Sequence, residues 1–243
     1  MNIIINPEYS YLESYIRELP DSFKNEGELI YKGRNELKVF EINGKKIVVK
    51  SFKISHLINK IAYSFFRPSK AKRSYLYGLE IIKRGINTPV PIAYIEEIKG
   101  GLLNRSFYIS EYCEYDRIFR EFTYYPESFE GKDDILLRFA DFTSHLHDLG
   151  IYHKDYSPGN ILFQKTEAGI DFCIIDINRV RFGKVSKERG FRNFERLWAG
   201  DKMLAIIAER YAANGGFDKK EAVEKVIKYN HKVMTPPVEN EKN

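Results

Sequence analysis

His153-Lys154-Asp155-Tyr156-Ser157-Pro158-Gly159-Asn160, with Ile174-Ile175-Asp176 further on, is the most informative part of the chain. It reads H-x-D-x-x-x-x-N, then two apolar residues and an Asp. Phosphoryl transfer needs parts in this order. One Asp accepts a proton from a substrate hydroxyl, while an Asn and a second Asp hold the magnesium that neutralises ATP phosphates.

Asp155 is the candidate general base, since a loop between a helix and a strand can place it within hydrogen-bond reach of an attacking hydroxyl. Taken alone it would read as a helix-cap or turn Asp. Its spacing to Asn160 and Asp176 argues for chemistry. Asn160 and Asp176 are the candidate magnesium ligands, because oxygen donors suit a hard cation that also binds phosphates. Their plain alternatives are a turn after Pro158-Gly159 and a strand-end turn. His153 is expected to hold the loop by hydrogen bonds, without a proton-transfer role.

Upstream, Ile47-Val48-Val49-Lys50 is an apolar run ending in a lysine. Lys50 fits the strand lysine that contacts the α- and β-phosphates of ATP. Glu80 is the only carboxylate between Asn43 and Gly85 and therefore the default ion-pair partner of Lys50. Its place late in a predicted helix also suits a solvent-facing residue. No G-x-G-x-x-G exists, so Gly33-Arg34-Asn35, between two predicted strands, is the candidate phosphate loop. Gly33 in a plain turn is the alternative.

The first half is rich in strand signals: Leu29 to Lys32, Leu37 to Ile42 and Lys46 to Lys53, the last two joined by an Asn43-Gly44 hairpin turn. Leu57, Ile58, Ile61, Phe65 and Phe66 recur at helical spacing. A helix is predicted from Ser69 to Arg84, ending at Gly85. Strands follow at Ile92 to Ile95 and Ser106 to Tyr112, with a Gly100-Gly101 turn between them. The second half reads as helical. Lys132 to Leu149 carries an apolar stripe, Ile161 to Phe163 and Phe172 to Ile175 form a short hairpin, and helices run over Arg192 to Ala213 and Asp218 to Tyr229. The tail from Thr235 is expected to fray. This is an α+β, bilobal layout: a strand-rich N-lobe over residues 1–112, a helical C-lobe over 113–243, and Ser110 to Cys113 joining them.

Bulk properties agree with a folded chain. It has 243 residues, 43% of them hydrophobic, and a net charge of +5. Cys113 and Cys173 lie in apolar runs and read as free buried thiols of a reducing compartment. The N-terminus lacks the features of a signal peptide, and no apolar run approaches a membrane span. A cytoplasmic protein, or one held peripherally at a membrane, is expected. From Asn43 to Leu79 there are nine Lys or Arg and no Asp or Glu. So basic a segment expects anions. No nucleic-acid-binding module is recognised, so no nucleic acid is expected as a partner.

Gly33-Arg34-Asn35, Val49-Lys50, Gly85-Ile86-Asn87-Thr88-Pro89, His153-x-Asp155 with Asn160, and Ile175-Asp176-Ile177-Asn178-Arg179 together resemble the lipopolysaccharide kinase (Kdo/WaaP) family. The resemblance spans roughly residues 29 to 200. It implies a protein-kinase-like fold, ATP and Mg2+ as cofactors, and phosphorylation of Kdo or heptose in the lipopolysaccharide inner core. It carries Lys50, Asp155, Asn160 and Asp176 over directly. Two departures stand out: the helix after Lys50 has Ser74, Tyr75 and Leu76 where relatives often place an acid, and Tyr156-Ser157-Pro158-Gly159 looks closer to small-molecule phosphotransferases. A small-molecule or protein kinase of the same fold, and a pseudokinase or anionic-lipid-binding scaffold, stay open as alternatives.

Two features suit a lipid-linked anionic sugar. The apolar stripe of Leu57 to Phe66, beside Arg67, Lys70, Lys72 and Arg73, could lie on an anionic membrane; packing against the small lobe is the alternative. After Asp176 come Arg179, Arg181, Lys184, Lys187, Arg189, Arg192 and Arg196 with no Ala-Pro-Glu marker. That segment fits carboxylates or phosphates on a sugar, or a solvated basic loop.

Overall fold

A computed structural model describes residues 1–53, 63 and 67–233. The predicted helix over Leu57 to Phe66 and the tail from Thr235 lie outside the described residues. The contacts divide the chain into two compact units, Met1–Glu114 and Tyr115–Asn243.

The first unit is built on one six-stranded sheet. Its strands are β1 (Asn2–Ile5), β2 (Glu28–Lys32), β3 (Asn35–Ile42), β4 (Lys45–Lys53), β5 (Pro91–Lys99) and β6 (Leu102–Glu111). They lie in the order β1-β5-β6-β4-β3-β2, antiparallel throughout. Asn43 and Gly44 turn β3 into β4 with φ of 53° and 74°. Positive φ at both centres is what a two-residue hairpin with the right-handed strand twist requires. Side chains alternate across a strand, and β4 sorts accordingly. Ile47 and Val49 join a core with Leu12, Ile16, Leu19 and Phe23, while Phe52 packs with Ala71, Tyr75, Tyr94 and Tyr108.

Helix α1 (Glu13–Ser22) supplies the first of those cores, and helix α2 (Lys70–Lys83) the second. The oxygen of Ser69 caps α2 by accepting from the Lys72 amide, which satisfies one of the unpaired first-turn N–H groups. At its other end Gly85 has φ 81°, the left-handed stop that glycine takes without strain.

Lys38, on β3, is 9% exposed. Its ammonium donates to the carbonyls of Phe23 and Glu26, both at 2.7 Å, and of Lys24 at 3.3 Å. The chain leaving α1 presents carbonyls with no helical partner, and a buried lysine satisfies them. Lys38→Met removes these bonds and leaves the carbonyls orphaned. The expected cost is about 2–3 kcal/mol of stability, read from urea denaturation with the m-value unchanged.

The second unit holds helices α3 (Phe119–Tyr124), α4 (Lys132–Asp148), α5 (Lys187–Asn193), α6 (Asp201–Gly215) and α7 (Lys219–Val233). Its strands are short: β7 (Arg117–Ile118), β8 (Ile151–His153), β9 (Ile161–Thr166), β10 (Gly169–Ile174) and β11 (Val180–Phe182). β7, β9 and β10 form one sheet, and β8 pairs with β11. The core is aromatic, with Phe119, Phe122, Phe139, Phe163 and Phe194 all buried and in ring contact.

The helix predicted over Arg192 to Ala213 is in fact interrupted. α5 ends at Asn193, a 3₁₀ turn covers Phe194–Arg196, and α6 starts only at Asp201. Trp198 is left-handed at φ 50° and Gly200 is extended at ψ 154°, so the backbone leaves the helical region between them. Cys173 is buried, as expected of a free thiol, whereas Cys113 is only half-buried.

Candidate functional site

α4 ends at Asp148, Leu149 caps it, and Gly150, with φ 68°, turns the chain into β8. β8 pairs antiparallel with β11, Val180 facing His153. The β9–β10 hairpin sets Ile161 opposite Ile174, and the Ile175 amide donates to the Asn160 carbonyl at 3.0 Å. These two pairings enclose the H-x-D-x-x-x-x-N loop and bring Asn160 alongside the residue that precedes Asp176.

His153 is fully buried. One ring nitrogen faces the Ile175 carbonyl at 3.0 Å and so must be the donor; the other accepts from the Asp155 amide at 3.2 Å. Burial pushes its pKa down, which keeps the ring neutral, as this one-donor, one-acceptor arrangement requires. The Asn160 side-chain N–H₂ donates to the Asp155 carbonyl at 2.8 Å. Tyr156, 1% exposed, stacks on Phe139 and its hydroxyl meets that of Thr143 at 3.0 Å. Asp155 is thus fixed through its backbone on both sides, with a buried aromatic next to it as anchor.

The Asp155 carboxylate is held by two arginines. Arg179 donates to Oδ2 at 3.1 Å and Arg196 to Oδ1 at 2.9 Å. Arg179 closes the 3₁₀ turn after Asp176, and Arg196 closes the one after α5. Three other cations of this segment are spent differently: Lys187 pairs with Glu221, Arg189 lies over Tyr152 and Arg192 over Tyr229. The basic run predicted from the sequence therefore contains three cations that hold elements together and a pair that converges on Asp155.

Asp176 is left-handed, at φ 55° and ψ 46°. Asp tolerates that region better than most residues, and such backbone strain gathers at functional sites. Its Oδ1 accepts from the side-chain N–H₂ of Asn178 at 2.5 Å. Magnesium is the metal that the resemblance implies, and the donor set fits it. Asn160 spends its N–H on a carbonyl, and Asp176 is a carboxylate. A hard cation that keeps waters and substrate phosphates needs few protein oxygens. Among the described residues no cluster of three or more His, Cys, Asp or Glu could hold a metal by itself.

Behind the loop runs a polar chain that sequence reasoning missed. Asn193 donates to the His153 carbonyl at 2.9 Å, and its side-chain oxygen faces His147 Nε2 at 2.7 Å. His147 Nδ1 meets the Tyr211 hydroxyl at 2.9 Å. Burial lowers the His147 pKa and favours the neutral ring; in that state the tyrosine donates to Nδ1, Nε2–H donates to the asparagine, and the asparagine donates to the loop. Arg120, on α3, lies against Gly159 where a side-chain carbon would stand. Nothing in the spacing of these residues signals their meeting.

In the first unit, Lys50 stands on β4 between Leu37 of β3 and Tyr108 of β6. Its ammonium is 5.4 Å from the centre of the Phe52 ring, on the sheet face that α2 covers. Glu80 is not brought to Lys50. Its carboxylate pairs with Arg84, one helical turn on, at 2.7 Å, because an i,i+4 partner is the nearest opposite charge on a helix. Gly33 lies in the tight turn between β2 and β3, its amide donating to the Asn35 carbonyl at 3.1 Å, with the Tyr31 phenol where a side-chain carbon would stand.

A six-stranded antiparallel sheet with its lysine strand, followed by a helical unit with this loop and this Asp, defines a protein-kinase-like phosphotransferase. The chain belongs to the lipopolysaccharide kinase (Kdo/WaaP) family, whose model matches residues 27–205, and it is accordingly a kinase. Among solved structures it is similar to one described as WaaP in complex with acyl carrier protein. The TM-score is 0.64 at 13% identity, over 96% of this chain and all of that one. At that identity the likeness is one of fold. No curated protein sequence matches the chain.

Proposed function

We propose that this kinase uses ATP and Mg2+ to phosphorylate a sugar hydroxyl of the lipopolysaccharide inner core, on Kdo or heptose. Asp155 takes the hydroxyl proton. Asn160 and Asp176 hold the magnesium, which when bound neutralises phosphate charge. Lys50 contacts the nucleotide phosphates, and the backbone at Gly33 covers them. The observation that carries this reading is the loop itself: an Asp immobilised at its own N–H and C=O, with Asn160 hydrogen-bonded to it and Asp176 beyond the adjoining hairpin. Two guanidiniums at the proposed base suit an acceptor that is itself an acid. None of the described helices is long and apolar enough to cross a membrane. We place the protein peripherally on an anionic cytoplasmic surface, where the basic segment between Asn43 and Leu79 would meet the lipid-linked substrate.

The test is an acceptor panel with labelled ATP: lipid A bearing Kdo, the same lipid extended with heptose, an aminoglycoside and a protein. Transfer to one or both core lipids, abolished by EDTA, is expected. Label found only on the aminoglycoside or the protein would overturn the acceptor assignment, and label on none of them would favour a scaffold.

A further inference from the structure

Asp155 faces two guanidiniums, and one charge does not use up two. Arg179 and Arg196 are 45% and 39% exposed, and each bonds the carboxylate through one nitrogen. A guanidinium carries five N–H donors in a planar fork, so both retain donors for a second anion. The two ion pairs leave a net positive charge of one beside the proposed base. That is unusual surplus for a group whose task is to accept a proton, since each carboxylate oxygen already receives an N–H.

We infer that Arg179 and Arg196 form the acceptor's anion site, and that a carboxylate or phosphate next to the accepting hydroxyl draws a guanidinium away from Asp155. The inference rests on the reading of Asp155 as base and deepens it. Exchange of one anion for another keeps each arginine paired throughout, so its cost is small. It also frees a carboxylate oxygen as the hydroxyl arrives. The hydroxyl oxygen then bonds the γ-phosphorus, its proton passes to Asp155, and the bond from phosphorus to the bridging oxygen breaks to release ADP. Water carries no anion to trigger the exchange. An acceptor-dependent base of this kind would suppress futile ATP hydrolysis. Geometry also singles out these two cations: among the described residues they alone bond the Asp155 carboxylate, while Lys187, Arg189 and Arg192 engage Glu221, Tyr152 and Tyr229.

The test reads the arginines directly. In the full-length ¹⁵N-labelled protein, the Nε–Hε signals of Arg179 and Arg196, assigned through Arg179→Lys and Arg196→Lys, are followed against free Kdo, inorganic phosphate and neutral heptose. Kdo and phosphate are expected to shift both signals saturably, with heptose inert, and a stronger response to one acid identifies the anion that the site prefers. Arg196→Gln should weaken acid binding by at least about tenfold, the worth of one charged hydrogen bond. In turnover, Arg179→Gln and Arg196→Gln should raise KM for an acidic acceptor and increase acceptor-free ATP hydrolysis. Equal shifts with heptose, or acid binding unaffected by either Gln variant, would overturn the inference. Because the titration needs no turnover, it separates the two claims. Shifts without any phosphorylated core sugar would keep the anion site and remove the acceptor assignment. Transfer without shifts would do the reverse.

Discussion

An Asp155→Asn protein is expected to bind ATP as the parent does and to transfer phosphate about 10²–10⁴-fold more slowly, the usual worth of a positioned general base. The substitution is informative because the loop does not depend on the side chain it alters. The bonds that fix residue 155 run from its N–H to His153 and from Asn160 to its C=O, and both survive in asparagine. What is lost is a carboxylate between Arg179 and Arg196, whose side chains are 45% and 39% exposed. Half-exposed ion pairs contribute at most about 1 kcal/mol each, so the protein should remain folded at assay temperature. The measurement is single-turnover transfer from labelled ATP to Kdo-bearing lipid A, beside calorimetric ATP binding. A parental rate would remove Asp155 from the role of base. Loss of ATP binding would assign the defect to the nucleotide site instead.

Much of this arrangement is legible in the sequence because short-range chemistry dictates it. Asn43-Gly44 specifies a hairpin through its two positive φ values, and Ser69 and Gly85 bracket α2 through capping. The proposed catalytic loop stands out in the sequence because its parts are close together and each residue type has a chemical reason. Other features needed the fold. β1 and α1 went unpredicted although Leu12, Ile16, Leu19 and Phe23 follow helical spacing. Ile3-Ile4-Ile5 shows no alternation, and Pro20 inside the helix reads as a breaker. The break between Asn193 and Asp201 is a tertiary effect: the segment places Arg196 at Asp155 and presents the Phe194 carbonyl to Asn230 of α7. For Glu80 the sequence offered a shortage of acids as its argument, while the structure decides by proximity along the helix. The basic segment was visible as charge, but which arginines share a carboxylate depends on two 3₁₀ turns that periodicity does not report.

Acid is expected to destabilise the protein between about pH 6.5 and pH 4, and His147 is the principal cause. Burial lowers its pKa from 6.5 to about 4, against weaker opposing effects of the bond to Asn193 and the charge of Asp148; Arg189 adds to the lowering. The hydrogen bonds suit the neutral ring: with Nε2–H donating to Asn193, Nδ1 is left to accept from the Tyr211 hydroxyl, and protonation would force that hydroxyl to turn round. In the unfolded chain the same histidine takes up a proton near pH 6.5. Below that pH the unfolded state binds more protons than the folded one, so stability falls as pH falls. The contribution is complete above about pH 6.5 and is lost progressively toward the folded pKa. A difference of about 2.5 units corresponds to roughly 3 kcal/mol, a large part of an ordinary stability. His153, also held neutral by burial, acts in the same direction. Urea midpoints measured from pH 7.5 to 4 in the parent and in His147→Gln test this. The variant should be less stable at neutral pH, since it cannot reproduce the relay, but its slope with pH should be markedly shallower. Parallel slopes would mean that His147 is not the titrating group. Because Asn193 ties His147 to the His153 carbonyl, protonation should loosen the proposed catalytic loop before the molecule unfolds. Transfer activity in the parent should therefore fall at a higher pH than the loss of secondary structure, and the variant should narrow that gap.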